Sequence, residues 1–290
     1  MNAAAIKDFL LSHLAGQLSP QGLSWLQKQL EDLKSEKEFY LAFSRAPRFT
    51  GKHTLSFSPA DLQQAARLRP GFQPSGWTTD QVARTVLVLS VPHGSPADYV
   101  AILNKVFSTA DLQELATLYA ALPLLPYPEQ HRARAAEGVR SNMTQVFDAI
   151  ALDNPYPHDY MSEEAWNQLV LKSIFNSRPL YRIYGLDARR NAHLAHMLVD
   201  YAHERWAAGR TLTPELWRMV GPFVDAGNLQ DIQKLFHSPE TIQHEAAALA
   251  LSESALPAAQ ELLRARSELH ENIRDGRLNW QIIGESTYSN

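Results

Sequence analysis

Between its prolines the chain repeats apolar residues at intervals of three and four, as in Phe9, Leu10 and Leu14 and again in Leu23, Leu26, Leu30 and Leu33. That spacing gathers side chains onto one face of an α-helix. The same pattern predicts further helices at about 59–69, 78–91, 96–106, 109–121, 128–151, 162–176, 187–208, 213–225, 228–236 and 239–251, with a last one near 256–274. Val86-Leu87-Val88-Leu89 is β-branched enough for a strand. However, Thr79-Asp80 before it is a cap signal and Val82, Val86 and Leu89 keep helical spacing, so it reads as a buried helix. The links are short and carry Pro or Gly: Ser19-Pro20, Ser58-Pro59, Ser95-Pro96, Thr213-Pro214, Ser238-Pro239 and Leu256-Pro257. Ser or Thr at the N-cap with Pro in the first turn is a favoured helix opening. Such links favour antiparallel helical hairpins, and a row of them gives an irregular HEAT-like stack or α-solenoid, although no fixed-period motif recurs. The expected fold is all-α, one domain over residues 1–290, with loops at Gly71–Gly76 and after Gly276.

The most specific stretch is Asp153-Asn154-Pro155-Tyr156-Pro157-His158-Asp159-Tyr160, a two-proline elbow. Proline disfavours the helical region for the residue before it, which predicts extended backbone at Asn154 and Tyr156. Ser162 then stands as an N-cap, with Glu163 and Glu164 suiting the positive end of the helix that follows. Together with Arg140-Ser141-Asn142, the run Tyr184 to Asn191 and the run Asp200 to Arg210, the elbow resembles the EboA family, closely from about Arg140 to Phe223. The resemblance implies a link to bacterial metabolite traffic. EboA-like proteins are encoded beside a membrane prenyltransferase-like protein, a sugar-phosphate-cyclase-like protein and TIM-barrel-like proteins. It supplies no reaction.

Composition narrows the classes. The absence of cysteine removes disulfides, thiolate nucleophiles and Cys-based metal sites. A net charge of −4 without any Lys/Arg cluster argues against a nucleic-acid footprint or a polybasic membrane anchor. The N-terminus lacks the pattern of a signal peptide and no apolar run approaches the roughly 20 residues of a bilayer span. The expectation is therefore a cytoplasmic protein with no transmembrane segment and no cofactor.

Candidate chemistry falls on two helices. On the helix after Asn191, His193, His196, Asp200, His203 and Glu204 share one face, a spacing that can present ligands to a divalent metal. The resemblance favours Asp200, His203, Glu204 and Arg205 among the residues there, while the plainer reading is a solvated polar face. On the helix from Ser162, apolar residues cover most of the surface and leave Gln168 and Lys172 as a polar stripe with Asn167 at its margin. These three could line a cleft closed by the elbow, where Asn154, Tyr156 and His158 add polar groups. Alternatively, Asn154 caps the preceding helix and the tyrosines simply pack. Arg140, Arg182, Arg189 and Arg205 could each hold a phosphate or carboxylate, or form structural ion pairs. There is no phosphate-cradling glycine loop, no G-x-S-x-G, no H-E-x-x-H and no Asp-rich magnesium cluster. The sequence thus favours a non-catalytic binding or adaptor component handling a secondary-metabolite precursor. Two alternatives remain: an enzyme using Lys172, His203 and Glu204 as acid/base groups with Arg182, Arg189 or Arg205 on an anion, or a protein-binding scaffold.

Overall fold

The computed structural model describes residues 3–289. It is all-α, with eighteen α-helices, five short 3-10 turns and no strand among the described residues; the one β-bridge joins Thr54 and Thr78. Among the described residues no helix is long and apolar enough to cross a membrane. The chain divides into two compact units, one up to Ala165 and one from Trp166 onward.

In the first unit the organising element is the helix Thr79–Leu89, the segment whose β-branching could have suggested a strand. Val82, Ala83, Val86, Leu87 and Val88 are buried around its whole circumference, so it must be covered on every side. The helices Ala3–Ala15, Glu36–Thr50 and Leu112–Ala121 supply that cover. The same helix carries a charge into the interior. Arg84 is 2% exposed, its Nη1 donating to Asp80 at 3.1 Å, its Nη2 3.5 Å from Glu114 and its Nε donating to the Phe43 carbonyl at 3.1 Å. The guanidinium also lies 5.4 Å from the Phe43 ring centre.

In the second unit the helix Thr241–Glu253 has the same role. Residues Ala246 to Leu251 are all buried, and Leu216–Val220, Leu229–Leu235, Pro257–Arg264, Ser267–Arg274 and Trp280–Tyr288 pack around it. Its alanines let neighbours come close: a Cβ added at Gly221 would stand 3.1 Å from the Ala250 Cα.

Several boundaries differ from the sequence expectation, each for a local reason. The continuous helix expected over 128–151 is a 3-10 turn and two helices, Arg132–Arg140 and Thr144–Ala151. Ser141 leaves helical geometry and its Oγ accepts the Met143 N–H at 3.1 Å, a side-chain bond that competes with the helix. The last helix, expected near 256–274, splits at Arg266, whose guanidinium sits 3.5 Å over the Phe236 ring and donates to the Leu262 carbonyl. The tail expected as loop contains the helix Trp280–Tyr288, opened by Asn279, which accepts the Ile282 N–H at 3.0 Å. Within the elbow Tyr156 is helical rather than extended. Tyr156–Tyr160 forms a short helix with Pro157 in its first turn, where a missing N–H costs nothing. The expected cap at Ser162 is present, accepting the Ala165 N–H at 3.3 Å.

Because Asp80 and Glu114 depend on Arg84 for compensation, Arg84→Met should destabilise the protein by about 3–5 kcal/mol, the cost of stranding buried charge. Urea denaturation checks this. A variant with the parent's midpoint would show that the buried cluster does not hold the first unit.

Candidate functional site

The elbow residues belong to the first unit. Asn154 is 3% exposed, and its amide donates to the carbonyls of Tyr119 (3.0 Å) and Ala149 (2.8 Å) while its oxygen accepts the Tyr156 N–H (2.9 Å). These bonds tie the end of the helix Thr144–Ala151 to the elbow. Tyr156 is fully buried and donates its phenol to the Pro128 carbonyl at 2.5 Å. His158 pairs with Asp159 at 2.7 Å. A side chain spent this completely on backbone is structural in its energetics, so Asn154→Ala should lose about 1–3 kcal/mol, the penalty for orphaned buried polar groups. Thermal melting at fixed pH reads the change.

The remaining candidates lie in the second unit. Asn167 is buried and forms a reciprocal amide pair with Asn191 (2.9 and 3.3 Å), the residue that caps the next helix by accepting the Leu194 N–H at 2.8 Å. Gln168 and Arg182 are exposed. Arg189 stacks its guanidinium 4.8 Å over Trp166. Lys172 is half-buried, and burial pulls its ammonium below the ordinary value. His203 hydrogen-bonds Asp231 at 2.8 Å, and Asp231 is buried and also takes Lys234 at 2.9 Å. Asp200 and Glu204 are exposed. Among the described residues no three His, Asp or Glu side chains gather into a group that could hold a metal ion.

Two of the candidate arginines line clefts: Arg140 one of about 450 Å³ in the first unit, beside Arg134 and Glu137, and Arg205 one of about 470 Å³ in the second. Two helix endings build the Arg205 cleft. The helix Glu163–Phe175 closes with Arg178 N–H on the Ser173 carbonyl (2.7 Å) and Ser177 N–H on the Ile174 carbonyl (3.1 Å). This is the paired bonding of a Schellman motif, with Ser177 left-handed at φ 54° where glycine is usual. The helix Ala192–Ala207 ends the same way, with Arg210 N–H on the Arg205 carbonyl and Gly209 left-handed at φ 65°. The chain then turns back as the segment Thr211–Pro214. Arg205 holds it by donating Nη2 (3.0 Å) and Nε (3.3 Å) to the Thr211 carbonyl, and Gln243 donates to the Leu212 carbonyl at 3.0 Å. Ile174, Phe175, Leu212, Pro214 and Ile242 make the walls apolar, and Tyr201, Glu240 and Tyr288 add polar groups. Tyr288 is fixed by donating to the Arg178 carbonyl at 3.0 Å.

Behind Pro214 lies Glu215, which no sequence pattern signalled. It is fully buried, and Oε2 accepts the Leu180 N–H at 2.8 Å. Burial pushes its carboxyl up to about 7, against the lowering effects of the Leu180 and Tyr181 N–H groups and the Arg218 charge. A folded-state value above the unfolded one means that the protonated form stabilises the fold. That contribution is complete below about 4.5, the unfolded value, and is lost as pH rises through about 7. Stability should therefore fall by about 3 kcal/mol between roughly pH 5 and 8 from this group alone, and Glu215→Gln should remove that slope. Urea midpoints across that range check it, and a slope that survives in the variant would assign the effect elsewhere.

No curated protein and no solved structure matches the chain. A family model matches the chain from well before the Arg140–Phe223 stretch, takes in most of the first unit and includes Arg205, while ending ahead of Glu240 and Tyr288. The family model described as metabolite traffic protein EboA matches residues 6–221 of the 290, far more than half of the chain, and the chain belongs to that family.

Proposed function

We propose that the protein is a binding component of metabolite traffic that holds one small amphipathic molecule in the Arg205 cleft and hands it on unchanged. The carrying observation is the cleft itself. Its volume falls in the range of small-molecule sites, about 300–1,000 Å³, and its Thr211–Pro214 wall is anchored by hydrogen bonds from Arg205 and Gln243. A site held in shape beforehand loses less entropy on binding. The lining contains no His, Lys or Asp, and Glu240 is its one carboxylate, so no acid/base pair faces the bound molecule. Glu215 titrates in a useful range but is sealed from the cleft's solvent at 0% exposure. The family description supports traffic as the role. In this reading the cargo is a precursor of a bacterial secondary metabolite, carried in the cytoplasm and passed to partner proteins. Arg205 meets the cargo, while Asn154, Tyr156, Asn167 and Arg189 hold the scaffold around their own helices.

Native mass spectrometry of the protein purified from its own host tests the proposal, alongside Ile242→Trp, which fills the cleft from a half-exposed wall position. The expected result is a retained small-molecule mass in the parent and its loss in the variant at an unchanged melting temperature. Retention of the same mass by both proteins would place binding elsewhere. A parent that retains only a co-purified protein would favour the scaffold reading.

A further inference from the structure

The two charges that line the cleft are both unspent. Arg205 uses Nε and one Nη2 proton on the Thr211 carbonyl, which orients the guanidinium and leaves Nη1 without a bond among the described residues. No carboxylate among the described residues lies within ion-pair distance of it, although Glu240 lines the same cleft. Glu240 occupies the N-cap position of the helix Thr241–Glu253 yet its side chain makes no capping hydrogen bond. Glutamate is not among the residues whose side chains ordinarily cap a helix, so its carboxylate is left for other partners. Here it stays exposed at the cleft, and it too has no ion-pair partner among the described residues.

A cleft that presents a cation and an anion not paired with each other selects its ligand by charge pattern. A simple anion gains from Arg205 but is opposed by Glu240, and a simple cation meets the reverse. Only a molecule carrying both charges satisfies both groups, and like-charge placement is an effective way to reject the others. The rest of the lining includes apolar walls formed by Leu212, Pro214 and Ile242, with Phe175 70% exposed as an uncovered apolar surface. Resting on the binding reading above, we infer that the ligand is an amphipathic zwitterion of the amino-acid class. Its carboxylate is held by the Arg205 guanidinium, its ammonium by Glu240, and its apolar body lies along Leu212 and Ile242 under Phe175.

Isothermal titration calorimetry on the full chain tests this with three probes of one shape: L-phenylalanine, 3-phenylpropionate, which lacks the ammonium, and phenethylamine, which lacks the carboxylate. Phenylalanine should bind, and each truncated probe should bind about tenfold or more weakly, because it loses one charge contact and keeps one repulsion. Glu240→Gln, an exposed change that leaves the fold intact, should remove the discrimination against 3-phenylpropionate. Arg205→Met, checked for an unchanged melting temperature, should remove the discrimination against phenethylamine. Equal binding of 3-phenylpropionate and phenylalanine by the parent would overturn the zwitterion and leave a plain anion site. If no probe binds while Ile242→Trp still strips the native mass, the ligand class is wrong and the binding reading stands. If Ile242→Trp leaves that mass in place, both fall.

Discussion

The helices Thr79–Leu89 and Thr241–Glu253 have almost no face to give to water, and each unit is arranged around the need to cover one of them. A helix apolar on all sides leaves a large hydrophobic surface exposed unless neighbours surround it. In the first unit the cover comes from helices far apart in the chain, such as Ala3–Ala15 and Leu112–Ala121. Burying Thr79–Leu89 also buries Arg84, and that charge is tolerated only because Asp80, Glu114 and the Phe43 carbonyl meet it. The second unit solves the same problem with alanine, keeping its central helix thin enough for Gly221 to approach Ala250 closely.

The cleft is a by-product of how helices stop. Two adjacent helices end in Schellman motifs, and each ending reverses the chain within a few residues. The reversal after Ala207 brings the Thr211 carbonyl back onto Arg205, so one residue both terminates its helix and anchors the wall it faces. Ser177 holds a left-handed conformation without being glycine, a local strain that the surrounding bonds to Ser173 and Ile174 maintain. Backbone turns held by side chains move little, so the Arg205 and Gln243 bonds fix the Thr211–Pro214 wall in place.

The chain belongs to a metabolite traffic family, and its second unit carries a cleft lined by Arg205, Glu240, Tyr201 and Tyr288. The polar residues that looked most chemical along the chain are largely committed to the scaffold. Asn154 and Asn167 spend their amides on helix ends, Arg189 covers Trp166, and His203 is drawn to the buried Asp231. Polar groups on helices are cheap to place for structural bonding, and face patterns alone cannot separate that use from ligand binding.

What the sequence determined by itself was the local and periodic part of this protein. Helical class, the caps at Ser19, Ser58 and Ser95, and the family all follow from signals contained within a turn or a short run. It erred where one side-chain bond redirects the chain, at Ser141 and Arg266, and where a helix carries too few apolar residues to show a period, at Trp280–Tyr288. Only the tertiary structure decided which helix is central, that Asp231 meets His203, that Glu215 is sealed beneath Leu180, and that Arg205 shares a cleft with Glu240 and Tyr288. Those pairings join residues tens of positions apart, and their geometry is set by how covered surfaces pack, which no local spacing encodes.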